Sequence, residues 1–270
     1  MGQIILAYHG CDITTRDHLV SGATQPRVSK NSYDWLYDGM YFFEGDHERA
    51  LKLAKAAADR ESHSLTRQPI VTPAVVGAVL DVDRMFDLST QLGISYFKAA
   101  SETLKSLHEK SGEPLPQNTA GFEGDTEKTH RAFDREVCKL VHLSRRAVHF
   151  QESIQAAEIV KSLRELGESA TDADFKGLDL ANKAVIASAP FQASRGAYEQ
   201  GQLIDDSGSI YDDTHLQIAV HDLSCIRAWF LVQGDKLLSA KELSDADAAL
   251  AAAKAARTAR KPRRSPTKTT

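Results

Sequence analysis

Cysteine is scarce in this chain. The three present, Cys11, Cys138 and Cys225, are an odd number scattered across 270 residues, and no two have the spacing of a zinc site. That excludes a disulfide framework and points to a reducing compartment. Long apolar runs are missing too: no stretch approaches the roughly 20 residues of a membrane helix. The start, MGQIILAYHG, has no charged region ahead of its short apolar run. The expectation is a cytoplasmic protein with no membrane role. Internal repeats are absent. The histidines His215 and His221 come without a carboxylate cluster, so no metal is assigned.

Charge is unevenly spread. The net charge is −4, yet the last twenty residues hold seven Lys or Arg and no acid, which leaves −11 on the 250 residues before them. An acidic body is a poor general nucleic-acid binder, and the basic end reads as a mobile, solubilising tail. The 42% hydrophobic residues are enough for a sizeable core.

Periodicity gives an α+β chain. Residues 3–8 read as a buried strand, and Asp12–Gly22 as a short helix capped by Thr14 or Thr15. Gly22–Tyr33 is loop. Tyr41–Phe43 is the next strand, and Asp46 caps a helix to about Asp59. Pro73–Val82 is a buried strand, Met85–Leu88 a turn, and helix resumes from Ser89 to Lys110. Ser111–Gly124 is a connector. Two helices follow, at Thr126–Val148 and Gln151–Gly167, then short strands at Val185–Ala187 and Gln192–Glu199. Leu216–Asp222 and Ile226–Val232 read as an antiparallel pair across Leu223–Cys225. An Ala-rich helix starts at Ser244, with disorder from about Ala256. The expected organisation is one domain over residues 1–243 with a helical insertion at about 89–170, followed by the helix and basic tail of 244–270.

One stretch near the N-terminus carries chemistry beyond packing. A strand ending on His9-Gly10 offers an imidazole to hydrogen-bond a sugar hydroxyl and a main chain that a ligand can approach, because Gly10 has no Cβ. Tyr41 supplies a flat face for a ring. Together they describe a slot for an aromatic amide on a ribose, the nicotinamide end of NAD. Between them, Ser29 and Asn31 are able to bind the adenosine side or the diphosphate, and Trp35 either stacks on a ligand or anchors the loop. Arg49 sits in a helical first turn, where the dipole disfavours a cation, so it is held by a carboxylate or by phosphates. Taken singly, His9 and Tyr41 are equally at home as packed residues.

In these residues the chain resembles the ADP-ribosyltransferases of the diphtheria-toxin-like and poly-ADP-ribose-polymerase-like branch. The likeness lies in Tyr8-His9-Gly10 and Gly39-Met40-Tyr41-Phe42-Phe43. It extends to a bacterial group with a Ser29-Lys30-Asn31-Ser32-Tyr33-Asp34-Trp35-Leu36 loop and a late His215-Leu216-Gln217-Ile218-Ala219-Val220 strand. The resemblance touches both ends of residues 4–231 and matches the middle loosely. It implies split antiparallel β-sheets, NAD as a substrate, and a catalytic set of His9, Tyr41 and Gln217. It also implies NAD contacts from His9, Gly10, Ser29, Asn31, Tyr41 and Arg49. The expected reaction is single transfer of ADP-ribose to RNA, DNA or protein, in a toxin or phage-defence effector with an antitoxin or chaperone partner. Gln217 stands where many relatives have Glu; an amide holds a ribose hydroxyl but brings no charge and no base. Glu44 and Glu199 are the acids that stand in reserve. NAD hydrolysis, or a catalytically silent nucleotide-binding or partner-binding protein, are the alternatives.

Overall fold

The computed structural model describes residues 2–59, 66, 68–120, 128, 130–205 and 207–260. The chain is α+β and divides into two compact units: residues 28–40 and 82–222 form the first with Met1–Gly2, and residues 3–27, 41–81 and 223–270 form the second.

The second unit is built on strands β1 (Gln3–Asp12), β2 (Met40–Glu44), β3 (Pro73–Val82) and β9 (Ile226–Leu231), in the order β2-β1-β3-β9. β1 runs antiparallel to β2, with Ala7 opposite Glu44 and Tyr8 opposite Phe43. β9 pairs antiparallel with β3, from Val76 opposite Leu231 to Leu80 opposite Ile226. Helix α2 (His47–Asp59) packs on one face, its Ala50 joining Phe43 and Val75 beside Tyr8. Helix α1 (Ile13–Val20) continues directly from β1. Its cap is Asp12, whose carboxylate takes the Thr14 N–H and also the N–H groups of Val71 and Thr72. The expected threonine cap is thus corrected: an aspartate two residues before Thr14 satisfies three donors from two segments, which a hydroxyl cannot do. Helix α6 (Ala240–Arg260) packs against α1, with Asp247 taking a hydrogen bond from His18. It runs past Ala256, where disorder was expected, because Ala, Lys and Arg are strong helix formers; the end of the tail lies outside the described residues.

The first unit has strands β4 (Met85–Asp87), β7 (Ala193–Tyr198) and β8 (His215–Val220) in the order β4-β7-β8. β4 is parallel to β7, and β7 is antiparallel to β8. A ribbon of β5 (Asn118–Thr119) and β6 (His130–Arg131) stands apart. Three helices complete the unit: α3 (Gln91–Ser111), α4 (Ala132–Leu166) and α5 (Asp172–Ser188).

Four expectations need correction here. Met85–Asp87 is a strand, because its main chain completes a parallel ladder that only the fold supplies. The two helices expected at 126–148 and 151–167 are one, α4: no Gly or Pro falls between Ala132 and Leu166 to stop it. The short strand at Val185–Ala187 is the last part of α5, started by a Thr171/Asp174 capping box. Finally, β8 and β9 are not hairpin partners. Leu223–Cys225 is a turn of 3-10 helix, and the two strands pair with β7 and β3 respectively.

Candidate functional site

The residues named from sequence fall into both units. In the second unit, His9 lies on β1, and its Nδ1 donates to the main-chain oxygen of Tyr41 at 2.8 Å. A carbonyl has no proton to give, so Nδ1 carries the hydrogen and Nε2 is left as the acceptor. Burial pushes the His9 pKa down, against the pull of the Tyr41 carbonyl, so the imidazole is neutral and able to accept from a hydroxyl.

The His9 ring lies against Phe42, with ring centres 5.9 Å apart. Phe42 in turn stacks on Trp229. His9 meets the main chain of Tyr41. Gly10 has a packing reason to be glycine: an added Cβ would come 2.2 Å from the Ala50 carbonyl oxygen, so α2 occupies the side that the missing side chain leaves open.

Asp46 starts α2 by accepting the Arg49 N–H, and the Arg49 guanidinium lies 5.2 Å over the Phe43 ring. Glu44 closes β2. On the Tyr8 face, at the first residue of α2, an open cavity of about 520 Å³ is lined by Tyr8, His47 and Phe230–Gln233. Its walls are aromatic, with Tyr8 5.6 Å from His47 and 5.9 Å from Phe230.

In the first unit Gln217 is held in one orientation. The indole of Trp35 donates to Oε1 at 2.8 Å, and Nε2 lies 2.8 Å from His215 Nε2. His215 gives its Nδ1 hydrogen to the Asp213 carbonyl at 2.6 Å, so its Nε2 is the acceptor of the amide N–H. Since an indole N–H only donates, the amide cannot be reversed. One N–H of this half-buried amide remains for a further acceptor, as a ribose oxygen would be. Around it, Tyr198 stacks on His215, and the Arg131 guanidinium sits 4.0 Å over Tyr198 and 5.0 Å over Trp35. Trp35 is buried and anchors its loop; an added Cβ at Gly196 would come 2.5 Å from its ring. Glu199 lies past the end of β7 and is exposed.

Ser29 and Asn31 shape the same loop. Asn31 donates its side-chain amide to the Ser29 hydroxyl and its main-chain N–H to Asp34. Burial raises the Asp34 pKa, against hydrogen bonds from Ser29 and Asn31 and the charge of Arg135. Arg135 reaches from α4 to the Asp34 carbonyl and the Asp38 carboxylate. Tyr37 holds a left-handed backbone at φ 76°, rare for an aromatic residue, with its ring stacked on His142.

Sequence reasoning missed a buried trio in this unit. Ser194 Oγ lies 2.8 Å from His142 Nε2 and 2.8 Å from His221 Nε2. The hydroxyl is fully buried, so no substrate reaches it as it stands. The three residues come from α4, β7 and the end of β8, and no spacing along the chain links them. Among the described residues no group of three or more His, Cys, Asp or Glu is placed to hold a metal ion, and no helix is long and apolar enough to cross a membrane. Burial pushes the Cys11 thiol up to about 12, which makes it a poor nucleophile.

No protein-family model, no curated protein and no solved structure matches this chain.

Proposed function

We propose that the protein is an NAD-dependent mono-ADP-ribosyltransferase that acts on a macromolecular acceptor, RNA or protein, as a bacterial toxin or phage-defence effector. The observation that carries the reading is the meeting of two signature stretches, 32 residues apart, as paired strands with His9 bonded to the Tyr41 main chain. In this reading the fold is of the ADP-ribosyltransferase kind, with NAD held by Gly10, Ser29, Asn31 and Arg49 together with the catalytic residues. Neutral His9 accepts from one ribose hydroxyl, Gln217 donates to the other, and Tyr41 supports the nicotinamide ring.

The chemistry asked of these groups is modest. Nicotinamide leaves as a neutral amine, so the protein has to hold the departing ring and shelter an oxocarbenium-like cation until the acceptor attacks. Gln217 contributes a fixed dipole and no charge, which suits one transfer better than repeated elongation. The acceptor's own nucleophile, or Glu44 or Glu199, supplies the base. An antitoxin or chaperone that masks the site fits such an effector.

A second reading is a catalytically silent nucleotide-binding or partner-binding protein. The observation that favours it is the packing of α2 over Gly10, where an added Cβ would come 2.2 Å from the Ala50 carbonyl oxygen. Nicotinamide release from NAD by the purified chain, repeated with His9→Ala and Tyr41→Ala, separates the two. Release that falls at least tenfold in both variants supports transfer or hydrolysis, and label appearing in RNA or protein selects transfer. Binding of NAD with no release, unchanged in Tyr41→Ala, supports the silent reading.

A further inference from the structure

We propose that the His142–Ser194–His221 chain is an acid-operated latch that fastens the 28–40 segment to α4 and β7. It does not rest on the NAD reading.

The hydrogen-bond roles are fixed by elimination. His221 Nδ1 lies 2.5 Å from the Asp38 carbonyl, which only accepts, so Nδ1 carries the hydrogen and Nε2 is bare. Ser194 therefore donates its hydroxyl proton to His221 Nε2 and accepts from His142 Nε2–H. The run is one-directional: His142 to Ser194 to His221 to the Asp38 carbonyl. It joins α4, β7, the end of β8 and the loop, and Tyr37 of that loop stacks on His142.

The chain needs His221 Nε2 bare, so His221 has to be neutral; His142 donates from Nε2, and what opposes a second proton on it is burial and the charges beside it. A proton on His221 Nε2 removes the acceptor of the Ser194 hydroxyl: either both rings donate to Oγ and the hydroxyl hydrogen loses its partner, or the hydroxyl turns round and His142 changes tautomer. A second proton leaves two N–H groups aimed at one oxygen and two cations with ring centres 4.2 Å apart. Their surroundings offer little relief. Arg146 on α4 opposes both charges. The Asp38 carboxylate favours a charge on His221 but is already bonded to Arg135. The other neighbours are the rings of Tyr37, Phe86 and Phe191, with Asp222 following His221 in the chain.

Burial accordingly pushes His221 down to about 4 and His142 to about 2. Folded-state values below the ordinary 6.5 mean that the unfolded chain binds more protons. The latch is thus at full strength above about pH 6.5 and weakens as pH falls towards 4. Each histidine lowers the folding constant by about tenfold per pH unit in that window, about a hundredfold for the pair.

Two measurements test this on the full chain. Nitrogen NMR at neutral pH should show His221 protonated at Nδ1 and His142 at Nε2, with neither titrating above pH 5 while the fold persists. Acid unfolding, followed by Trp35 fluorescence in a Trp229→Phe background, should release the indole steeply below pH 5. His142→Gln, neutral at every pH, should cut the pH slope about tenfold per unit. A His221 hydrogen on Nε2 at neutral pH, either ring titrating near 6.5 in the folded chain, or an unchanged slope in His142→Gln would overturn the proposal. If His142→Gln does not fold, the tautomers of the unmodified chain decide.

Discussion

Replacing Gln217 with Glu tests the orientation of its side chain without changing its size. In the wild type, Oε1 receives the Trp35 indole hydrogen and Nε2–H is given to His215. Glu keeps the first bond and puts a second oxygen against a bare nitrogen at about the same 2.8 Å. Two acceptors repel, so the variant is expected to bind a proton on His215 and convert the contact to an ion pair. At an effective dielectric of about 20, opposite charges about 4 Å apart attract by roughly 4 kcal/mol. Desolvation of the pair, in which His215 is buried, offsets much of this and leaves about 2 kcal/mol, so the His215 pKa rises. A raised folded-state value gives stability that is complete below the ordinary histidine range and lost as pH climbs through the raised value. Thermal unfolding of Gln217→Glu should therefore match the wild type near pH 6 and fall behind it by roughly 4–8 °C at pH 9. An equal offset at both pH values would refute the assigned orientation, since no proton would then be taken up.

Other expectations follow from single contacts. Gly10→Ala drives a Cβ towards the Ala50 carbonyl, backbone that moves only with α2; a loss near the upper end of overpacking effects, about 3 kcal/mol, is expected in urea unfolding. Asp12→Ala leaves the N–H groups of Thr14, Val71 and Thr72 without their carboxylate and should cost about 2–3 kcal/mol. Asp12→Asn should not rescue it, because its NH2 would face a donor; recovery by Asn would contradict the three-donor role. Thr171→Ala removes an exposed capping box and should reduce helicity and stability by only about 1 kcal/mol.

The parts of the fold that could be read from the sequence are those whose pattern is local. Pro73–Val82 is apolar but for Asp81, and β3 has those bounds. The Ala50, Leu51, Leu53, Ala54 spacing after Asp46 gives α2. Elements defined by distant partners were not legible. β4 exists through its ladder with β7, and β9 joins β3 across nearly 150 residues of chain, where a nearby hairpin with β8 looked simpler. In the candidate site, the sequence named His9, Tyr41 and Gln217 but not their orientation. Folding decides that His9 meets Phe42, and Trp35 and His215 decide which way Gln217 points. The Ser194 trio has no sequence signal, because a serine and two histidines on separate elements look like any others until the chain folds.

The most direct test of the NAD reading is a titration of the wild-type chain with NAD, followed by NMR of the His9 imidazole and the Gln217 side-chain amide. The account predicts that both sets of signals move together and saturate at the same NAD concentration. Saturation with NAD that leaves either residue's signals where they were, or no binding at millimolar NAD, would contradict it.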